Sequence, residues 1–305
     1  MNVSSIKKGV AAFIIVLLFM PIGHSVMILN EGILPDHKFA GAFFIGLLGV
    51  VSLVFGLRQH NRPIVSTLLG LTSGILIWTG WIEFSFVWVA QKLQVEGLME
   101  NRIVVTKPEY LIMPSSIGLL STFLLFYLFS QNRCQFFNWF QRTINLKPLI
   151  KVTIQTYKPI AIITFMETIM ILWTFYIVLL LVYDPEIAGD KHIITFLVAV
   201  GSLFWSVYLI AQLLKIKTLD YAIRYAVPTV IIFWNVIEIL GRWNFLKEIW
   251  IYPQEHWLEM TITLFLLILF IVFNLHPRSS IEKKRNHHHH RGETTPNTST
   301  SNQVE

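Results

Sequence analysis

The chain has 305 residues, of which 54% are hydrophobic and only 14% are charged, and its mean hydropathy is +0.59. Soluble domains carry roughly 25% charged residues, so this composition excludes an ordinary soluble protein and is typical of an integral membrane protein. The single cysteine, Cys134, excludes an intramolecular disulfide and a cysteine-based metal cluster. The net charge of +6 reflects the membrane topology and needs no nucleic-acid partner.

Eight apolar segments are long enough to cross the roughly 30 Å hydrocarbon core of a bilayer as helices. They predict an all-α polytopic membrane protein surrounded by the lipid bilayer. Charged residues and a proline crowd the start of the seventh segment, which makes its boundary the hardest to place. The predicted spans are about 9–29, 39–57, 64–90, 111–130, 159–183, 193–214, 222–241 and 257–275.

The Lys and Arg residues are distributed unequally between the two ends of these predicted helices. If the N-terminus lies inside, 17 of the 24 basic residues fall on the inner side. Because cytoplasmic loops are enriched in Lys and Arg, we expect a multi-pass protein of the cell (inner) membrane with both termini in the cytoplasm. The basic residues expected outside are Lys38, Lys92, Arg102, Lys107, Lys191, Arg242 and Lys247.

Reporter fusions after Ser130 and after His276 test this orientation. Both are expected to be active only as cytoplasmic reporters, because an even number of spans returns the chain to the side on which it began. An extracytoplasmic signal at either position would contradict the eight-span topology.

The two halves of the chain share a pattern that predicts a tandem repeat. Asp36 precedes Glu83 by 47 residues, and Asp190 precedes Glu238 by 48. Each half holds four spans, so the two copies would share one orientation, related by an axis along the membrane normal. The predicted organisation is a four-helix repeat (1–130), a cytoplasmic basic amphipathic linker (131–158), a second four-helix repeat (159–276) and a disordered cytoplasmic tail (277–305).

Four ionisable side chains lie within otherwise apolar segments: Glu83, Glu167, Glu238 and His24. A charge in hydrocarbon is costly, so each of them is a functional-site hypothesis. Arg242 follows Glu238 by four residues, a spacing at which the two can pair on one helix face. We predict that Glu83, Glu238, Glu167 and Arg242 supply a cation or proton site and that Glu83 and His24 face a common cavity. The alternative interpretation is that each of these groups only pairs helices.

Further imidazole and carboxylate side chains are expected at or near the outer membrane boundary. This combination suits Cu, Fe or Zn, so a transition metal is a candidate cofactor there. The sequence contains no HExxH, GxSxG, Walker A or Rossmann glycine pattern that would assign an enzyme class. The candidate metal ligands are His24, Asp36, His37, Asp190, His192, Glu109, Glu255 and His256.

The stretch EILGRWNF at 238–245, followed by WIYP at 250–253, resembles part of the A subunit of the copper membrane monooxygenases that oxidise methane or ammonia. In that subunit a helix also carries a Glu, then an Arg four residues later beside an aromatic residue, and then an aromatic-rich segment ending in Pro. The segment PEYL at 108–111 resembles a Pro-Glu-Tyr motif of the same subunit. The match covers under a tenth of the chain, with the motifs in a different order. The resemblance implies a component of a redox complex in the inner membrane, with other membrane subunits as partners.

Three functions are compatible with these features. The leading hypothesis is an outward-facing carboxylate and histidine site that binds or transports a cation or a small polar solute. The second is a subunit of a metal-dependent membrane oxidoreductase. The third is a structural or assembly protein whose buried acids lock its helices together.

Overall fold

The computed structural model describes residues 2–100, 103–129, 135–145 and 159–275. Within these residues, eight helical segments are long and apolar enough to cross a membrane, which confirms the predicted all-α polytopic fold. The predicted tail, 277–305, lies outside the described residues. The eight spans are Val3–Ile33, Pro35–Arg58, Pro63–Lys92, Pro108–Phe129, Ile160–Tyr183, Ile193–Leu213, Leu219–Arg242 and Trp257–Leu275.

Some spans consist of more than one helical element. A π-helical segment, Trp78–Glu83, interrupts the third span, and short 3-10 turns at Pro35–His37 and Met113–Ser116 lie in the second and fourth. The α-helices are α1 (Val3–Ile33), α2 (Lys38–Arg58), α3 (Pro63–Ile77), α4 (Phe84–Lys92), α5 (Pro108–Ile112), α6 (Ile117–Phe129), α7 (Gln135–Thr143), α8 (Ile160–Tyr183), α9 (Ile193–Leu213), α10 (Leu219–Arg242) and α11 (Trp257–Leu275).

Four spans form the centre of the bundle and four surround it. The central ones are α1, the third span with α3 and α4, α8 and α10, and the outer ones contain α2, α6, α9 and α11. Helix α10 packs against α1, α8 and α9, while α3 packs against α2 and α8. The outer helices expose apolar side chains such as Phe44, Phe204 and Phe273. In a chain with membrane-spanning helices these surfaces contact lipid.

The same alternation of central and outer spans occurs in both halves of the chain. The first and third spans of each half are central, and the second and fourth are outer. This order is the one expected of two copies with the same orientation. The repeat itself stays a prediction, to be tested by superposing residues 9–130 on 159–275.

Helix α7 lies within the predicted linker. The rings of Trp139 and Phe140 pack against Trp205 of α9. Their centroids lie 6.1 and 6.3 Å, respectively, from the centroid of the Trp205 ring. These contacts dock α7 on α9, and the amphipathic linker itself stays a prediction. The rest of the predicted linker, at 131–134 and 146–158, lies outside the described residues.

One end of the bundle carries a short antiparallel hairpin that the sequence does not predict. Strand β1 (Leu98–Glu100) pairs with β2 (Ile103–Thr106), with an irregularity after Leu98. We call this the hairpin end, and the segments 93–100, 103–107, 184–192 and 243–256 all lie there. The Lys and Arg bias predicts that the hairpin end is extracytoplasmic.

Candidate functional site

A cavity of about 1450 Å³ lies among α1, the third span, α8 and α10 and reaches the loops of the hairpin end. Aromatic side chains line much of it, and ionisable groups are spread among them. Five of the predicted site residues therefore share one cavity: His24, Glu83, Asp190, Glu238 and Arg242. The cavity is also lined by Lys107, Lys191 and Glu248.

Glu83 is the last residue of the π-helical segment and is only 3% exposed. Its carboxylate oxygen Oε1 accepts hydrogen bonds from the hydroxyl groups of Tyr110, at 3.4 Å, and Tyr176, at 3.3 Å. Both bonds are long, and both donors are neutral phenols. π-helical bulges are rare and occur frequently at functional sites.

Close packing against α2 holds the π-helical segment in place. The indole Nε1 of Trp81 donates to the carbonyl oxygen of Phe43 at 3.2 Å. Gly80 lies directly against the backbone of Gly46 and the carbonyl of Ala42, where a Cβ atom would clash. The position of Glu83 therefore depends on a glycine three residues before it.

Glu238, on α10, lies on the other side of the cavity. Its Oε1 accepts a hydrogen bond from the Trp234 indole at 2.6 Å and is 3.5 Å from Nε2 of His24. The His24 ring stacks between Tyr176 and Trp234, at centroid distances of 6.5 and 6.2 Å. Tyr176 and His24 thus connect the surroundings of Glu83 to those of Glu238.

The predicted pairing of Arg242 with Glu238 is wrong. Arg242 Nε donates to both carboxylate oxygens of Asp190, at 3.0 and 3.1 Å, and its Nη2 donates to Thr106 Oγ1 at 3.1 Å. The guanidinium also lies 4.7 Å from the centroid of the Tyr183 ring. Because Arg242 ends α10, its side chain extends into the loops and ties the hairpin and the 184–192 loop to the bundle.

Glu248, in the loop after α10, brings another carboxylate to the cavity. Burial and the nearby Glu238 carboxylate raise its pKa from 4.5 to about 7, and the Arg242 guanidinium opposes this shift. The folded protein therefore binds a proton at Glu248 between about pH 4.5 and 7, where the unfolded chain has released it. The associated stability is present below pH 4.5 and is lost as the pH rises through about 7.

Replacing Glu248 with glutamine is expected to reduce the loss of thermal stability between about pH 4.5 and 7, since it removes the group that ionises there. Fluorescence-detected unfolding in detergent at a series of pH values measures the effect. The control is Glu255→Gln, because Glu255 is exposed. A pH dependence that is the same in wild type and Glu248→Gln would contradict the assignment.

Several candidate metal ligands lie away from the cavity. Asp36 and His37 are exposed in the 3-10 turn before α2. His192 precedes α9, and its Nδ1 accepts a hydrogen bond from the backbone N–H of Ile194 at 3.2 Å. These positions are those of turn and helix-capping residues.

Two of the remaining candidate ligands pair locally, and the third is exposed. Glu109 is buried at the start of α5, with Oε1 3.8 Å from Lys107 Nζ. His256 Nδ1 is 3.5 Å from Glu259 Oε1, and Glu255 is exposed. Within the described ranges, no group of three or more His, Cys, Asp or Glu side chains is placed to hold a metal ion.

Glu167 is buried in α8 but does not share the cavity with the other acids. On this helix the lining begins at Leu172, five residues nearer the hairpin end. Glu167 is 3% exposed and follows the buried Thr164 by three residues. Glu167 therefore lies in the half of the bundle away from the hairpin end.

The sequence did not indicate the aromatic and amide residues that complete the site. Tyr110 was part of the PEYL segment and Trp250 of the WIYP segment, but Tyr176, Trp234 and Asn235 carried no signal that separated them from other apolar-segment residues. Their spacing from Glu83, Glu238 and His24 on the same or packed helices would have been the only guide. The structure places all five against the cavity.

The fold and the buried polar cavity define a multi-pass α-helical membrane protein with an ionisable site at its hairpin end. Comparison with known protein families, curated proteins and solved structures found no match.

Proposed function

We propose that this membrane protein binds a cation, or a small polar solute with a cationic group, in the cavity between Glu83 and Glu238. The observation that carries the proposal is the unequal pairing of the acids. Asp190 pairs with Arg242 at 3.0 Å. Neither Glu83 nor Glu238 has a Lys or Arg within ion-pair distance in the part of the chain that the structure describes.

A bound cation would supply the positive charge that Glu83 and Glu238 lack. Carboxylates at membrane depth are costly when ionised and are typical of ion and substrate pathways. The attraction between opposite charges is stronger in a low-dielectric interior than in water. A cation between Glu83 and Glu238 would stabilise both carboxylates, and the phenols, indole and imidazole around them are already in place.

The cavity reaches the loops at Lys107, Lys191 and Tyr252, so solutes would enter from the hairpin end. With the predicted topology this is the extracytoplasmic side. Uptake measured in proteoliposomes separates transport across the membrane from binding alone.

Binding is tested by thermal unfolding in lipid nanodiscs with chloride salts of sodium, potassium, tetramethylammonium and choline. A ligand at a hundred times its Kd stabilises the folded state by about 2.7 kcal/mol. We expect at least one salt to stabilise wild type and to lose this effect in Glu83→Gln and in Glu238→Gln, which keep the side-chain shape and remove the charge.

Glu255→Gln is the matched control, since Glu255 is an exposed acid. The proposal is wrong if no salt stabilises wild type, or if both glutamine variants respond as wild type does. A Glu83→Leu variant that loses stability, beside a Glu83→Gln variant that behaves as wild type, would favour the purely structural interpretation.

A second candidate function, a subunit of a metal-dependent membrane oxidoreductase, is favoured by one observation. The two segments that carry the monooxygenase resemblance meet at the cavity, where Tyr110, Glu238 and Arg242 all contribute to the lining. The described residues do not form a metal centre by themselves. Stoichiometric Cu, Fe or Zn in the purified protein would favour this candidate over the first.

A further inference from the structure

Three buried hydrogen-bond donors that line the cavity have no partner among the described residues. They are Nδ2 of Asn235, Nε1 of Trp250 and the hydroxyl of Tyr183. Asn235 is 2% exposed and Trp250 is 8% exposed. Buried donors in folded proteins are nearly always paired, so these three are available to acceptor atoms of a ligand in the cavity.

These donors surround the Glu238 side of the cavity. Asn235 precedes Glu238 by three residues on α10, so both lie on one helix face. The Trp250 ring is 4.8 Å from the Trp234 ring, and Trp234 itself donates to Glu238. The unpaired donors are therefore neighbours of a carboxylate without bonding to it.

A continuous set of aromatic rings joins the two carboxylates. The Trp78 and Tyr110 rings lie 5.7 and 5.8 Å from Tyr176, which stacks on His24, and His24 stacks on Trp234. Aromatic rings beside carboxylates suit organic ammonium ions, which ring faces attract. At about 1450 Å³ the cavity also exceeds the roughly 300–1,000 Å³ of ordinary small-molecule pockets. It is far larger than a single metal ion needs.

We infer that the ligand is an organic ammonium compound that also carries hydrogen-bond-accepting oxygen, such as an amino alcohol, an amino acid or a betaine. Its ammonium group lies between Glu83 and Glu238, and its oxygen atoms accept from Asn235, Trp250 and Tyr183. This inference rests on the proposed function and narrows its cation to one class.

Calorimetric titration of the full chain in phosphatidylglycerol nanodiscs tests the class, because these lipids carry no ammonium headgroup. The probes are tetramethylammonium, choline and glycine betaine, which share a quaternary ammonium head. Tetramethylammonium carries no oxygen, choline carries a hydroxyl, and glycine betaine carries a carboxylate. A parallel series uses ethylammonium, ethanolamine and glycine. In at least one series we expect an oxygen-bearing probe to bind about tenfold tighter than its oxygen-free partner, since it satisfies buried donors.

Three variants remove the donors one at a time: Tyr183→Phe, Trp250→Phe and Asn235→Leu. Each is expected to reduce the affinity ratio between the oxygen-bearing and oxygen-free probes by about twofold, since the roughly tenfold effect is shared among three donors. Tyr208→Phe is the control, because Tyr208 is exposed on α9. Tyr183→Phe removes one oxygen atom only, so it decides the question even if the other two variants fold poorly.

Equal affinities within both series would overturn the inference and leave the proposed function intact. No binding by any probe would also overturn the inference, and it would overturn the proposed function as well only if sodium and potassium fail to stabilise wild type. An unchanged ratio in Tyr183→Phe and in the other folded variants would also overturn the inference. Phosphatidylcholine or phosphatidylethanolamine added to the nanodiscs identifies the source. Loss of probe binding then assigns the ligand to a lipid headgroup, and unchanged binding assigns it to a free solute.

Discussion

The Gly80→Ala variant is expected to lose about 3 kcal/mol of unfolding free energy, at the upper end for an overpacked site. A Cβ atom at this position would clash with the backbone nitrogen of Gly46 and the carbonyl oxygen of Ala42. Backbone atoms cannot move aside as a flexible side chain can, so α2 and the π-helical segment must separate. We also expect cation binding to weaken, because the segment that moves ends at Glu83.

Two other glycines provide the control for this prediction. Gly118 and Gly201 lie in helices with no atom within 4 Å of an added Cβ. Alanine there is expected to be neutral or to stabilise by up to about 1 kcal/mol, because glycine is a weak helix former. Chemical denaturation or thermal unfolding in one detergent compares all three. A Gly80→Ala protein as stable as these controls would contradict the close packing of α2.

The Arg242→Met variant is expected to lose about 2 kcal/mol of unfolding free energy. Breaking a fully buried ion pair costs about 3–5 kcal/mol. The side chains of Arg242 and Asp190 are 21% and 26% exposed, so solvent reduces this cost. The change leaves the Asp190 carboxylate without its guanidinium and releases the hydrogen bond to Thr106.

A double-mutant cycle separates the ion pair from other effects of the substitution. Asp190→Asn combined with Arg242→Met should cost less than the sum of the single changes, because the two residues interact directly. Lys247→Met is the control, since Lys247 is an exposed basic residue in the same loop region. Strict additivity of the two substitutions would show that the pair contributes nothing.

Hydrophobic pattern predicted the number and order of the spans because each must cover the bilayer with apolar side chains. The same logic singled out Glu83, Glu238 and His24, since an ionisable group stands out in an apolar run. The structure places all three against one cavity. Tyr176 and Trp234 did not stand out, because aromatic residues are common in membrane helices and only packing shows which ones face inward.

Predictions from residue spacing along the sequence failed where contacts between distant segments determine the structure. The four-residue spacing of Glu238 and Arg242 predicted a pair, yet Asp190, 52 residues away in sequence, binds the guanidinium. The π-helical segment likewise has no sequence signature, since it depends on packing between Gly80 and α2. The hairpin at 98–106 lay in a region treated only as a connecting loop.

Infrared difference spectroscopy tests most directly whether Glu83 and Glu238 bind the cation. Spectra of the protein in nanodiscs are recorded before and after addition of the salt that stabilises it. The account predicts changes in carboxylate stretching bands, part of which is absent in Glu83→Gln and part in Glu238→Gln. Carboxylate bands that do not respond to the cation, or that respond equally in the double glutamine variant, would contradict it.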